Sequence, residues 1–406
     1  MKIAIVGCGH IADYYVQTLP EHPELELVGV MDTIRDRAIR FSQYHSIPFY
    51  ETLDELLKDT NVDIVLNLTN PRSHYEVSKA CLEAGKHVYS EKPIAMTISE
   101  SKNLVALANQ QGLQITSAPC SLLGETAQTL WKAVRENAVG KVRLVYAEID
   151  DGMVHKSSYN NWLSVSGIPW PYQDEFEIGC TFEHAGYYVT WLTAFFGPAE
   201  SVTAFSSCLI PNKVRDVLLD PPNTPDFSVA CIKFKSGVVA RLTCSIVAPH
   251  NHSLKIIGDD GILETEECWF YDAPVYVQYR EESSLTNPTD FNISKQSIVL
   301  VQKFFSYAKR IQTKILMKQQ TKMIYPLVRK PPKSKWYEDS GMQMDLSRGI
   351  AEMAASITEQ RPNRLSADFT LHNNELVIAI HQAFHIGSTV HLTTTFEPIE
   401  PMDWAK

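Results

Sequence analysis

The run Gly7-Cys8-Gly9-His10-Ile11-Ala12 follows an uninterrupted apolar stretch at residues 2–6 and leads into a helical pattern at 11–19. A G-x-G-x-x-A sequence between a strand and a helix constrains the fold more than any other feature of the chain. Gly7 permits the tight turn, Gly9 lets the backbone approach a pyrophosphate, and Ala12 lets helix and strand pack closely. The helix start offers free N–H groups and a positive dipole end to phosphate oxygens. Asp32 closes a second strand, twenty residues past Ala12, where an acid binds the adenosine ribose hydroxyls and favours NAD. Arg35 and Arg37 follow it closely, which leaves NADP open.

Short β runs at 2–6, 25–31, 48–50, 62–68, 87–90 and 113–117 alternate with helical patterns at 11–19, 34–44, 52–57, 75–84 and 98–110. Continuously apolar strands alternating with helices imply a parallel sheet covered on both faces. The texture changes after residue 117. Helices at 125–137 and 183–196 accompany a long strand at 141–150, and β runs follow at 201–208, 227–234, 238–247, 252–257 and 261–266. Turns at 235–237 and 258–261 give hairpin spacing. Two more helices, at 345–359 and 368–385, precede a last strand at 389–395. The expected class is α/β: an N-terminal Rossmann domain with a doubly wound parallel sheet at 1–120, then a C-terminal α+β domain at 121–406 with a large, mostly antiparallel sheet.

Composition narrows the function classes. A chain of 406 residues suits two domains, and a net charge of −10 argues against nucleic acid as partner. No apolar run reaches the ~20 residues of a membrane span. The first residues enter a strand with no cleavable leader pattern. Eight cysteines include no C-x-x-C pair and no zinc spacing, so reduced thiols, no metal and a cytoplasmic location are expected. One excursion, at about 280–340, stands apart. Residues 291–337 hold eleven Lys or Arg and no acid, and 298–323 have helical apolar spacing ending before Pro331-Pro332. It reads as a solvated or interface helix, or as an anion contact for a substrate phosphate, an acidic patch on a sister subunit or a membrane surface.

Ala84-Gly85-Lys86-His87-Val88-Tyr89-Ser90-Glu91-Lys92-Pro93 ends the fifth β run. It resembles the A-G-K-H-V-x-x-E-K-P mark of the glucose–fructose oxidoreductase/inositol dehydrogenase (Gfo/Idh/MocA) family. Thr69-Asn70-Pro71-Arg72-Ser73-His74 is similar to that family's T-P-N-x-x-H loop with Pro and Asn exchanged, and 258–263 is similar to its G-x-x-G-x-L turn. The resemblance implies an oxidoreductase moving a hydride between NAD and a secondary hydroxyl or keto group of a sugar, nucleotide sugar or cyclitol. It implies cofactor contacts from Gly7, Gly9, His10, Ile11, Asp32, Arg37, Thr69, Asn70, His74, Glu91 and Lys92, and a homodimer or homotetramer. Lys92 is the expected proton-transfer residue. It acts either as a cation stabilising the alkoxide or as a base with a lowered pKa. The basic excursion tilts the substrate toward a phosphorylated or nucleotide-linked sugar.

His184 is the second catalytic candidate, from the family's D-x-G-x-H pattern, which is altered here. Counting back from His184 puts Cys180 at the acid position, whereas anchoring on Ile178-Gly179 puts Glu177 there. Anchored on His184, either Glu183 or Glu177 supplies the missing carboxylate. Asp151, His155, Trp170, Tyr172 and Glu183 are the expected substrate contacts, since rings interleaved with acids suit sugars. Two other readings stay open: a glycosidase using tightly held NAD, and a non-catalytic cofactor-binding regulator on the same fold.

Overall fold

The computed structural model describes residues 1–214, 217–280, 322–332 and 343–406. The first of two sheets comprises β1 (Lys2–Val6), β2 (Glu26–Met31), β3 (Ile64–Asn67), β4 (His87–Ser90) and β5 (Ile115–Ser117). All are parallel, in the order β2-β1-β3-β4-β5. Helices α1 (His10–Thr18), α2 (Arg35–His45), α3 (Leu53–Lys58), α4 (His74–Glu83) and α5 (Ile98–Gln111) connect the strands. Ile3, Ile5 and Leu66 point into one core and Ala4, Val65 and Val88 into another, so both faces are buried and the strands show no polar alternation. The expected strand at 48–50 shrinks to one bridge, Val30 to Phe49. Pro48 lacks an N–H, and the segment touches only the outer edge of β2.

The strand order reverses at β1, which opens a crevice beyond the carboxyl ends of β1 and β3. Gly7 sits in it with φ +100°, and a Cβ there would stand 2.6 Å from the Leu68 carbonyl carbon. Only glycine fits.

The second sheet runs β13-β12-β11-β10-β6-β9-β8-β7-β14. Its strands are β6 (Val142–Asp150), β7 (Ala199–Ser207), β8 (Phe227–Phe234), β9 (Val239–Ser245), β10 (Leu254–Gly258), β11 (Gly261–Thr265), β12 (Val275–Tyr279), β13 (Met323–Tyr325) and β14 (Val390–His391). Pairing is antiparallel except between β6 and β9. Helices α6 (Glu125–Arg135), α7 (Tyr172–Ile178) and α8 (Cys180–Phe196) precede β7, and α9 (Arg348–Thr358) and α10 (Ala367–Ile386) follow β13. Trp191 of α8 is buried in this core and donates to the Ser121 hydroxyl. Elements β12, β13 and α7 are additions to the sequence-based expectation. The expected strand at 389–395 keeps only two paired residues, because the N–H groups of Thr393 and Thr394 turn to the Glu375 carboxylate.

Helix α9 packs back onto the first sheet, with Ile350 and Met353 in the core that holds Ile3 and Ile5. A chain of charges marks this junction. Buried Glu125 pairs with Arg348 at 2.9 Å and with Arg329 at 2.8 Å, Arg348 reaches Asp345 at 3.0 Å, and His22 reaches Asp345 at 3.0 Å. Lys322 pairs with Glu264 and Glu266, each at 3.2 Å. Two cations of the basic excursion are thus spent on the protein itself. The expected helix at 298–323 lies outside the described residues except for its end, where Met323 opens β13. No helix among the described residues is long and apolar enough to cross a membrane.

Glu125→Ala would leave Arg348 buried beside one acid instead of two. Its unfolding free energy in urea should fall by about 3 kcal/mol. A loss below about 1 kcal/mol, the range of exposed pairs, would show that this junction does not depend on the charge chain.

Candidate active site

The glycine turn forms a cradle. A Cβ on Gly9 would meet no atom within 4 Å, which leaves room beside the α1 N-terminus, and no side chain caps that terminus. Both features fit a pyrophosphate. Asp32 is buried at the end of β2, accepting the Cys8 N–H at 2.9 Å and the Ile34 N–H at 2.7 Å, with Arg37 at 3.4 Å. Its carboxylate is thus fixed where a ribose hydroxyl would donate. Ile11 packs on the first-sheet core.

A loop from beyond β6 closes on this cradle. The Ile168 carbonyl meets His10 Nδ1 at 3.2 Å, and the Gly167 carbonyl accepts from Arg40 at 3.3 Å. Ser166 Oγ donates to Asp13 Oδ2 at 2.7 Å, while His45 Nε2 holds Asp13 Oδ1 at 2.5 Å. Burial opposes ionisation of Asp13, yet the hydrogen bonds from His45, Ser164 and Ser166 hold its carboxyl below the usual range.

Several expected cofactor contacts have structural partners. His74 is fully buried, with Nδ1 at 2.6 Å from the Pro93 carbonyl and Nε2 at 2.8 Å from the Thr69 carbonyl. Both ring nitrogens are taken, so its part is to pin the loop after β3 to the loop after β4. Thr69 donates to Asn67, and Asn70 donates to Asp174 of α7. Glu91 accepts the Tyr15 hydroxyl at 2.7 Å and the Lys92 N–H at 3.0 Å, which fixes the loop carrying the lysine. The Lys92–Pro93 peptide bond is cis.

Lys92 leaves β4 and reaches α8, where its Nζ lies 3.0 Å from Glu183 Oε2. The two side chains are only 19 % and 14 % exposed. Burial opposes the charged amine, but Glu183, Tyr187, Glu175 and Glu91 outweigh it and hold the ammonium well above the usual lysine range. Of the two roles open to Lys92, the cationic one is therefore the one that the surroundings support, and a base with lowered pKa runs against the direction found. Burial and Glu183 push the Glu175 carboxyl well above its usual range, so it keeps its proton, and Lys92 holds Glu183 below its own range against burial. Between the two candidate carboxylates the geometry is clear. Glu183 meets Lys92, whereas Glu177 faces Arg72 at 3.4 Å and the Asp220 N–H at 3.1 Å.

His184 follows Glu183 on α8, with Nε2 2.7 Å from Asp151 Oδ2 at the end of β6. Its Nδ1 is buried without a hydrogen-bond partner among the described residues. Lys92 thus meets Glu183, and His184, the next residue of α8, meets Asp151. The other three expected substrate contacts have different surroundings. Trp170 and Tyr172 join Tyr159, Trp162 and Phe176 in an aromatic cluster. His155 lies near the buried Lys213–Asp226 pair.

Some residues of the site escaped the sequence reading. Tyr187 lies one turn past Glu183 on α8 and was findable from that spacing. It lines a cleft of about 320 Å³ with Glu91 and Trp269, and the Trp269 indole N–H is buried without a partner among the described residues. His252 and Glu267 complete the surroundings of Asp151. The ligand atoms of Asp151, His250 and His252 lie within 4.8 Å of one another, but Asp151 and His252 are hydrogen-bonded to each other at 2.7 Å, the geometry of a shared proton rather than of an ion cage.

Comparison with known proteins bears on this arrangement. Residues 1–118 match a model described as an oxidoreductase family with an NAD-binding Rossmann fold, and residues 127–264 match the GFO/IDH/MocA C-terminal domain. The chain belongs to the Gfo/Idh/MocA oxidoreductase family. It is an NAD(P)-dependent oxidoreductase with the expected parallel and mostly antiparallel sheets. A trans-1,2-dihydrobenzene-1,2-diol dehydrogenase of Mus musculus is 26% identical over 273 residues, 66% of this chain and 75% of that protein. The aldose-aldose oxidoreductase of Caulobacter crescentus superposes with a TM-score of 0.70 at 18% identity, covering 97% of this chain and 99% of that one. The WlbA dehydrogenase of Bordetella pertussis, in complex with NADH and UDP-GlcNAcA, gives 0.65 at 18% identity, with 97% of each chain covered.

Burial works against a charge on His252, but its hydrogen bonds to the Asp151 and Glu267 carboxylates raise its pKa from 6.5 to about 9. A folded-state pKa above the unfolded value stabilises fully below about 6.5 and is lost as pH rises through about 9. The stability difference between the native protein and His252→Gln should therefore shrink by on the order of 3 kcal/mol between pH 6 and 10. Urea titrations across that range measure it, and a constant difference would contradict the assignment.

Proposed function

We propose that this enzyme oxidises a secondary hydroxyl of an uncharged sugar or polyol, or reduces the matching ketone. The Lys92 ammonium would stabilise the alkoxide, and His184 would carry the proton. The observation that carries this reading is the buried Lys92–Glu183 pair beside a histidine with one ring nitrogen unpartnered among the described residues. When bound, NAD supplies the hydride acceptor. The chain's own residues supply the rest. Hydride leaves the carbinol carbon as its hydroxyl loses a proton, and that proton passes to His184 Nδ1. The ammonium of Lys92 lowers the energy of the oxyanion as it forms, and because it is already charged it needs no proton of its own to do so. In reduction, His184 returns the proton and the same cation polarises the carbonyl.

An uncharged substrate fits the charges of the site. Lys92 and Arg72 are each in an ion pair, with Glu183 and Glu177, and Glu91 adds a further negative charge near Lys92. A phosphate would meet these carboxylates. The basic excursion that pointed to a phosphate spends Lys322 and Arg329 on Glu264, Glu266 and Glu125. Tyr187 and Trp269, with ring centres 5.8 Å apart, offer an aromatic wall and an indole N–H unpartnered among the described residues to a hydroxyl-bearing ring. Asp32 supports NAD over NADP. The exposed residues Phe205 and Val239 on the uncovered face of the second sheet support a homo-oligomer, and eight unpaired thiols support a reducing, cytoplasmic compartment.

The test is NADH absorbance during incubation with a panel of diols, aldoses, cyclitols and nucleotide sugars. Lys92→Ala should reduce kcat about 10²–10³-fold and His184→Ala about 10²–10⁴-fold, with NAD binding retained. Undiminished turnover by Lys92→Ala would defeat the mechanism. Activity confined to nucleotide sugars would defeat the uncharged-substrate reading.

A further inference from the structure

Two strand registers meet behind His184. In β10 and β6, Leu254 pairs with Ala147, and the bridge of Asn251 with Asp150 extends that register to the end of β6. In β10 and β11, Leu254 pairs with Thr265, and continuing the count sets His252 opposite Glu267. Asp151 is thus set beside two residues that follow it by more than a hundred positions of sequence. His252 has a fully buried side chain, with Nε2 2.7 Å from Asp151 Oδ1 and Nδ1 2.9 Å from Glu267 Oε1. Glu267 Oε1 also accepts the N–H groups of Cys268 at 2.8 Å and Trp269 at 3.1 Å. Tyr188 of α8 anchors the His252 carbonyl at 2.5 Å.

The donor count of this chain determines a tautomer. An ionised carboxylate only accepts, so a ring with a carboxylate oxygen on each nitrogen donates from both and is an imidazolium. Asp151 Oδ1 is then occupied by His252, and its Oδ2 accepts from His184 Nε2. The proton of a neutral His184 therefore sits on Nε2, and the lone pair sits on Nδ1, the nitrogen without a partner among the described residues. Charge matters as well. His184 faces the Asp151 carboxylate, and the His252 cation on the other carboxylate oxygen offsets part of that negative charge.

We propose that His252 and Glu267 are positioning residues that act through Asp151 to hold His184 with Nδ1 as the proton acceptor and to set its basicity. This inference rests on the reading of His184 as the acid–base residue. Other charged or titratable groups face the chain from each neighbouring element. They are Asp150 at the end of β6, His250 with its ring 4.1 Å from His252, Cys268 beyond β11, Glu183 on α8, and the Lys92 and Glu175 groups paired with Glu183.

The experiment is the pH dependence of kcat/KM for alcohol oxidation in the full-length protein, comparing His252→Gln and Glu267→Gln with the unaltered chain. Loss of the His252 cation should raise the acid limb by about one pH unit. Loss of the Glu267 charge, with His252 still protonated against Asp151, should lower it by a similar amount. Opposite signs are the signature, because general damage to the fold would move both variants alike. Limbs that stay put or move together overturn the inference, provided that His184→Ala is inactive. Undiminished oxidation by His184→Ala instead overturns the acid–base reading on which it rests. Nitrogen-15 NMR of histidine-labelled unaltered protein gives a second readout that needs no variant to fold. A neutral His184 ring carrying its proton on Nε2 supports the proposal, and a proton on Nδ1 rejects it.

Discussion

The contact between Lys92 and Glu183 is an ion pair between a loop that leaves the parallel sheet and a helix that backs the antiparallel one. Removing an ammonium from water is costly unless a partner charge is close. Here the partner belongs to the other half of the molecule, so the buried lysine keeps its charge because the two halves bring Glu183 against it. Much of the site follows from that need. Glu91 is held by Tyr15, His74 clamps the following turn through the Pro93 carbonyl, and Glu175 stays protonated so that the lysine faces one carboxylate charge on α7–α8 rather than two.

The same economy of charge recurs at other buried positions. Glu125 with Arg348 and Arg329, Lys213 with Asp226, and His252 with Asp151 and Glu267 each set opposite charges against one another inside the protein. Breaking such a group is costly because it strands the remaining member. In the functional cluster His184 Nδ1 and the Trp269 indole N–H are among the buried polar atoms with no hydrogen-bond partner among the described residues, and Trp269 lines a cleft, where an unmet polar group favours a hydroxyl-bearing ligand.

What was legible in the chain was local. The glycine turn, Asp32 and the segment ending Glu91-Lys92-Pro93 each encode their role within a few residues, because a turn, a strand end and a helix start are short-range structures. His184 could be placed by its spacing to Trp191 on one helix, although the acid expected four residues earlier is a cysteine. Glu183 was among the candidate carboxylates, but that it and not Glu177 meets Lys92 required the path of α7 into α8. His252 and Glu267 could not be read at all. They reach Asp151 through two strand registers, and register depends on the whole sheet. Trp170, Tyr172 and His155 carried a composition that suits sugars, yet their rings pack among themselves or near a buried ion pair.

The loop that ends at Trp170 contacts α1 and α2 through Ser166, Gly167 and Ile168, and Asp13 holds it together with His45. These contacts lie beside the glycine turn, not at a remote hinge. Any rotation that parts the two sheets must first detach this strap from α1. Opening the molecule and uncovering the dinucleotide cradle are therefore one movement, and the barrier to the first is also a barrier to exchange at the second.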